Sequence, residues 1–503
     1  MESIVILNAL GINHFAFEKI NEKQSGIERA IERGRQFESA AEVAVLVAAD
    51  SDFTFPENIK PIPCMSSDAK DIFSAIYTAA QNYQTIFFAY ADAPFLDVEL
   101  AGELLHIHKK YKAEYTFADG FPYGLAAEVL DIGLIKILQS IADLDNIKDN
   151  RNFIFDCLKK NINSYDIETI IAPINIQELR LEFFANNKRN LKLCSVFEDI
   201  SAKNYAELII KREKKLFTLP AFYAIEISQI RSVEKIYLPE IKSNTSEKFL
   251  SYKNFKIIID KISAYSDDAV VSLSIIGEAF LHPDISKMID YCLQQKNISL
   301  LLETSGVDFD EEKILEIKSL YENKNTSGKI FWIIYLDAFS KEKYAEVSKL
   351  EVKNAEVLFN KACQNIFTLQ KIFGENIFPQ FVRMNENENE LESFYRYWKE
   401  KINSVLIQKY DNLAGQLENR MVADLSPIQR NVCWHLKRDM YILTDGTVIM
   451  CKEDIINKKS FGNIFTDSPE TIRENIFKIY CEQINKNYKG ICENCDEYYT
   501  YNF

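Results

Sequence analysis

Met440-Tyr441-Ile442-Leu443-Thr444-Asp445-Gly446-Thr447-Val448-Ile449-Met450-Cys451 is two apolar runs joined through Thr-Asp-Gly and ended by a cysteine. Asp-Gly between apolar runs is a strong hairpin signal, so Cys451 is expected at the end of a hairpin strand. Working outward, Cys433 precedes the hairpin and Cys492-Glu493-Asn494-Cys495 follows it, giving Cys433-x17-Cys451-x40-Cys492-x2-Cys495. A C-x-x-C turn puts two thiolates within reach of one centre. Four soft ligands suit tetrahedral Zn²⁺ or an Fe–S cluster, and spacing alone leaves both open. Five of the ten cysteines fall within residues 433–503, where even spacing gives about 1.4. Reduced thiols of this kind fit a cytoplasmic chain and need no disulfides. Cys481 has no partner at ligand spacing and reads as a core thiol.

The chain has 503 residues, too many for one ordinary domain at about 100–200 residues each. With 47% hydrophobic and 26% charged residues the composition is globular. No apolar run reaches the roughly 18 residues of a membrane span. The start, Met1-Glu2-Ser3-Ile4-Val5-Ile6-Leu7-Asn8, has no basic region and reads as a strand rather than a signal peptide. The net charge of −15 argues against nucleic acid or a membrane surface as partner, leaving a peptide or small molecule. Glycine is scarce at 15 residues, and neither G-x-G-x-x-G nor G-x-x-x-x-G-K-[ST] occurs.

Upstream of the cysteines, residues 216–425 carry six strand-like runs: Phe222 to Ser228, Val270 to Ile276, Ile298 to Thr304, Ile330 to Leu336, Ile377 to Arg383 and Val405 to Gln408. Helical stretches fill the gaps, which predicts an open partial barrel with its site at the C-terminal strand ends. The acidic run Asn385-Glu386-Asn387-Glu388-Asn389-Glu390 reads as a solvated helix entry. Residues 1–175 alternate strands (Ile4 to Leu7, Val43 to Val47, Thr85 to Tyr90) with helices, as in a parallel sheet covered on both faces. The polar stretch 176–215 reads as a helical linker.

These motifs carry a resemblance. Cys433, the hairpin through Cys451, Phe461-Gly462-Asn463-Ile464 and the closing Cys492-x-x-Cys495 resemble the SPASM domain, the C-terminal extension of many radical-SAM enzymes. The resemblance implies one auxiliary [4Fe–4S] cluster on Cys433, Cys451, Cys492 and Cys495, with Zn²⁺ as the alternative. Gly277-Glu278-Ala279-Phe280-Leu281-His282-Pro283, Glu303-Thr304-Ser305-Gly306 and Tyr335-Leu336-Asp337-Ala338 resemble elements that follow the second, third and fourth strands of radical-SAM barrels. They imply an S-adenosylmethionine (SAM) cleft at Gly277, Glu278, Ser305 and Asp337. The family's C-x-x-x-C-x-x-C should follow the first strand. There the chain reads Ser228-Gln229-Ile230-Arg231-Ser232-Val233-Glu234-Lys235-Ile236-Tyr237-Leu238-Pro239, with Arg231, Lys235 and Leu238 at the cysteine positions. Charged Arg and Lys have no lone pair to offer, and Leu has no ligand atom. SAM binding without reductive cleavage is the expectation.

Ala91-Asp92-Ala93-Pro94-Phe95-Leu96-Asp97 and Phe121-Pro122-Tyr123-Gly124-Leu125-Ala126-Ala127-Glu128-Val129 resemble nucleotidyltransferase elements. They imply a nucleotide and Mg²⁺ cleft at Asp92 and Glu128. The Gly-rich, basic first loop of that family is replaced by Asn8-Ala9-Leu10-Gly11-Ile12-Asn13-His14-Phe15-Ala16-Phe17-Glu18-Lys19. Asp92 as a cap of the next helix is the bland alternative. His106 and His108, two apart on a helix, diverge by about 200° and read as surface rather than as a metal pair. His435, near Cys433, is a candidate supporting residue.

The order resembles the spiro-SPASM family. It implies an α/β chain with a nucleotide-diphospho-sugar-transferase-like parallel sheet (1–175), a helical linker (176–215), a partial (β/α)6 radical-SAM-like barrel (216–425) and a Cys-rich SPASM domain (426–503). Two functions stay open: an iron–sulfur protein without radical chemistry, or a transferase or radical enzyme acting on an unknown substrate.

Overall fold

A computed structural model of the chain describes residues 2–51, 59–240, 248–324 and 327–500. The chain forms two units, Met1–Leu216 and Phe217–Phe503.

The first unit is built on a seven-stranded sheet. Its strands are β1 (Ser3–Asn8), β2 (Ala40–Ala48), β3 (Lys60–Cys64), β4 (Thr85–Tyr90), β5 (Tyr115–Asp119), β6 (Glu128–Asp131) and β7 (Ile167–Ile171), in the order β3-β2-β1-β4-β6-β5-β7. The apolar run of β1 feeds both faces. Ile4 and Ile6 pack with helices Ala69–Ala80 and Ile132–Asp145, while Val5 and Leu7 pack with helices Gly26–Arg35 and Val98–Tyr111. The sheet is not wholly parallel, because β6 runs antiparallel to both β4 and β5. Strand β3 escapes sequence reading because Pro61 and Pro63 lie within it; proline is tolerated there because β3 is an edge.

Residues 176–215 are not a free linker. Helices Lys188–Val196 and Tyr205–Lys211 bury Leu193, Cys194, Phe197, Tyr205 and Ile209 against Phe95, Leu125 and Phe183. Their polar face dominates the sequence, yet the apolar residues at helical spacing close the first unit.

The second unit contains β8 (Phe222–Ile225), β9 (Ala269–Ser272), β10 (Ile298–Thr304), β11 (Ile330–Tyr335), β12 (Ile377–Arg383) and β13 (Leu406–Lys409), all parallel to their neighbours and in sequence order. This is the expected partial (β/α)6 arrangement. The cysteine-rich segment adds β14 (Asp439–Ile442), β15 (Thr447–Ile449) and β16 (Ser460–Asn463) to the same sheet. Strand β14 pairs in parallel with β8, so residues 426–503 extend the barrel sheet instead of standing apart. The core is shared too: Met440, Ile442, Ile472 and Tyr480 pack in one cluster with Ile225, Phe255 and Ile289. Buried Arg473 donates to the carbonyls of Leu436, Lys437 and Thr218 and lies 3.8 Å above the Phe217 ring. The hairpin forms at Asp445-Gly446, where Gly446 takes φ +82° and Leu443 N–H donates to Thr447 O at 2.8 Å. No helix of the described residues is long and apolar enough to cross a membrane.

Candidate metal centre, barrel mouth and N-terminal cleft

Each of the four cysteines sits at the end of an element. Cys433 precedes helix Trp434–Arg438, Cys451 follows β15, Cys492 ends the short turn Gly490–Cys492, and Cys495 follows it. The fold brings their thiols within electrostatic reach of one another: Cys451 feels Cys433, Cys492 and Cys495, and Cys433 feels Cys492. Burial raises all four thiol pKa values, that of Cys433 to about 12, and for Cys433, Cys451 and Cys495 neighbouring thiols push the same way. Thiolates in such a place need a bound cation. Two donors aim at sulfur: Gln483 Nε2 at Cys492 Sγ (3.4 Å) and Glu497 N–H at Cys495 Sγ (3.3 Å). Such N–H···S bonds suit cluster thiolates and tune their potential. Among the described residues no three His, Cys, Asp or Glu side chains converge on a single metal ion. The donor set nevertheless fits an iron–sulfur cluster, whose several irons hold their thiolates further apart than one ion does.

The surroundings of this centre were not legible in sequence. Lys409 pairs with Asp496 (2.8 Å) and Glu497, and Lys452 pairs with Asp411 at 2.5 Å. Burial opposes both ammonium charges, yet Glu497 and Asp411 respectively carry these pKa values upward. His435 is not aimed at a cysteine thiol; its ring joins Asp439 (2.6 Å) and Thr500 (3.0 Å). Cys481 is half-buried on helix Pro469–Ile484 rather than a fully buried core thiol.

At the mouth of the barrel Arg231, Lys235 and Leu238 take different roles. Lys235 is buried, with Nζ 3.1 Å from Asp337 Oδ2, donating to Leu336 O at 3.2 Å and lying 4.5 Å above the Tyr344 ring. Tyr237 hydroxyl donates to Asp337 Oδ2 (2.9 Å) and Val382 N–H to Oδ1 (2.9 Å). Arg231 reaches Glu234 at 2.5 Å and Pro239 O at 2.9 Å. Leu238 is half-buried and closes a turn onto Lys235 O.

Of the implied SAM residues, Glu278 and Ser305 meet, while Asp337 is engaged by Lys235, Tyr237 and Val382. Glu278 accepts Ser305 N–H and hydroxyl at 2.9 Å each and Phe280 N–H at 3.2 Å, and burial pushes its pKa up to about 7. Gly277 is required sterically, since a Cβ there would stand 1.9 Å from Ser228 O. His282, given no role by the sequence, donates to Leu250 O (2.8 Å) and accepts Asp284 N–H (3.0 Å). The acidic run is not a solvated entry. Asn387 is buried and holds the carbonyls of Asp337 and Val382, Glu390 caps Phe339 and Ser340, and Glu388 pairs with Arg383 at 2.7 Å. Spacing carries no sign of this, because its partners lie up to about fifty residues away.

In the first unit Asp92 neither caps a helix nor stands free for Mg²⁺. It is buried, and both oxygens are held by Arg151, at 3.1 and 2.5 Å. The helix cap is Asp97, which accepts Leu100 N–H at 2.9 Å. Glu128 lies on β6 in a cavity of about 610 Å³ with Arg151, and burial raises its pKa to about 7. His106 is exposed, but His108 is not on the surface as expected: it is buried against Thr116 at 3.0 Å. With Asp92 neutralised, CTP or GTP plus a sugar acceptor and Mg²⁺ should release no pyrophosphate. Turnover abolished by Asp92→Asn would overturn that expectation.

Residues 433–496 match the SPASM model, described as an iron–sulfur cluster-binding domain. An uncharacterized protein of Treponema pallidum (strain Nichols) is 39% identical over 355 residues, spanning 70% of this chain and 99% of its own.

The chain belongs to that protein's family.

Among solved structures, Streptococcus suis SuiB bound to precursor peptide SuiA is 10% identical, with TM-score 0.42, covering 73% of this chain and 85% of its own. A cytidylyltransferase from Leptospira borgpetersenii is 12% identical, with TM-score 0.35, covering 43% of this chain and 96% of its own.

Proposed function

We propose that this family member is an iron–sulfur protein that carries one [4Fe–4S] cluster on Cys433, Cys451, Cys492 and Cys495 and has no SAM-cleaving radical activity. The observation that carries the second half is the buried Lys235–Asp337 pair. Lys235, on the loop where the radical-SAM resemblance puts a cluster of its own, is satisfied by the Asp337 carboxylate beyond β11. That loop offers no thiol, and Arg231, Lys235 and Leu238 present no ligand atom in place of one.

Support for iron over zinc comes from the SPASM match. When bound, the cluster supplies one-electron redox chemistry. The chain's own residues hold it: four thiolates ligate, and Gln483 and Glu497 N–H orient two of them. Glu278 retains the chemistry to pair with the ammonium of SAM, so binding without cleavage remains part of the reading. The partner is a peptide or small molecule in the cytoplasm, in keeping with the acidic chain and its reduced thiols. Anaerobic, reconstituted protein given dithionite and SAM should yield no 5′-deoxyadenosine. Stoichiometric 5′-deoxyadenosine would overturn the reading.

A further inference from the structure

The cavity of the first unit has a chemistry of its own. Its volume of about 610 Å³ is within the range of small-molecule sites. Aromatic rings line it, among them Tyr90, Phe121 and Phe184, and three carboxylates enter it from Asp119, Glu128 and Glu182. Among the described residues that line it the one cationic side chain, Arg151, is spent. Both its terminal nitrogens bond Asp92, and its plane lies 3.8 Å from the Phe184 ring and 4.6 Å from that of Tyr90. The Gln177 amide is spent as well, donating to Asp119 at 2.9 Å. The Tyr115 hydroxyl bonds the Glu128 carboxyl, while Oε2 of that carboxyl is buried without a hydrogen-bond partner among the described residues. An unmatched buried acceptor is costly, more so when charged, so it marks a place for a donor.

We propose that this cavity binds a small organic amine through its ammonium group, which donates to Glu128 Oε2, while the aromatic walls cover its carbon skeleton. The acceptors explain the preference. A phosphate or nucleotide would bring further negative charge to a cavity with no free cation among its described lining residues, whereas an ammonium brings a donor for Oε2 and a positive charge. The site is separate from the four-cysteine centre, and its failure leaves the cluster reading untouched.

Calorimetric titration of the full-length protein tests this with amine and hydroxyl pairs of matched shape: D-glucosamine against D-glucose, ethanolamine against ethylene glycol, and 1,5-diaminopentane against 1,5-pentanediol. At least one amine should bind about tenfold or more tighter than its hydroxyl twin, the ratio that one charge-assisted hydrogen bond gives. Glu128→Gln should remove that preference. No amine preference in any pair would overturn the proposal, as would preference retained in Glu128→Gln. So would Mg²⁺-dependent CTP or GTP binding tighter than any amine. If Glu128→Gln fails to fold, the matched pairs on the unaltered protein still decide.

Discussion

Replacing Lys235 by methionine should destabilise the second unit by about 3–5 kcal/mol, the cost of leaving one member of a buried ion pair uncompensated. Asp337 has little means of escape. It is fully buried, takes φ +60°, and its carboxylate also fixes Tyr237 and Val382. Burial alone pulls the lysine pKa down, and Asp337 opposes that pull. Asp337→Asn keeps an acceptor for Val382 N–H and tolerates the left-handed backbone while removing the charge. The double variant Lys235→Met with Asp337→Asn should therefore be more stable than Lys235→Met alone, a coupling read from urea midpoints in a double-mutant cycle. A Lys235→Met protein within about 0.5 kcal/mol of the parent would mean that the pair is solvated or neutral.

Loss of one cysteine ligand should have the other large effect. Anaerobic protein is expected to be brown, with broad absorption near ~400 nm and about four irons per chain. Cys492→Ser should lose the cluster and loosen residues 426–503, because metal binding supplies part of their folding free energy. The damage should spread to β8, since β14 pairs with it and the two share a core. The first unit, with its own cores, should stay folded. Cys481→Ser should keep full iron content. Colourless protein with one zinc would move the assignment to zinc, and full metal retention in Cys492→Ser would remove the site.

Sequence alone determined the repeating strands and helices of the second unit, because apolar runs of strand length and helical periods are local properties of the chain. It also determined the Asp445-Gly446 hairpin, set by turn chemistry over a few residues, and the four cysteines, whose type and spacing are visible in one dimension. The absence of thiols at positions 231, 235 and 238 was likewise readable from letters alone.

Only the tertiary structure decided what replaced them. Lys235 and Asp337 are 102 positions apart and meet because β8 and β11 end on the same side of one sheet. The same is true of Asp92 with Arg151, which turned a candidate metal ligand into a closed ion pair, and of Lys409 with Glu497 beside the cysteines. Residues 176–215 read as a linker because their polar face is the larger, and became core once a second surface was present to receive Phe197 and Tyr205. Charge pairing and burial are properties of neighbours, and a sequence names a residue's neighbours only along the chain.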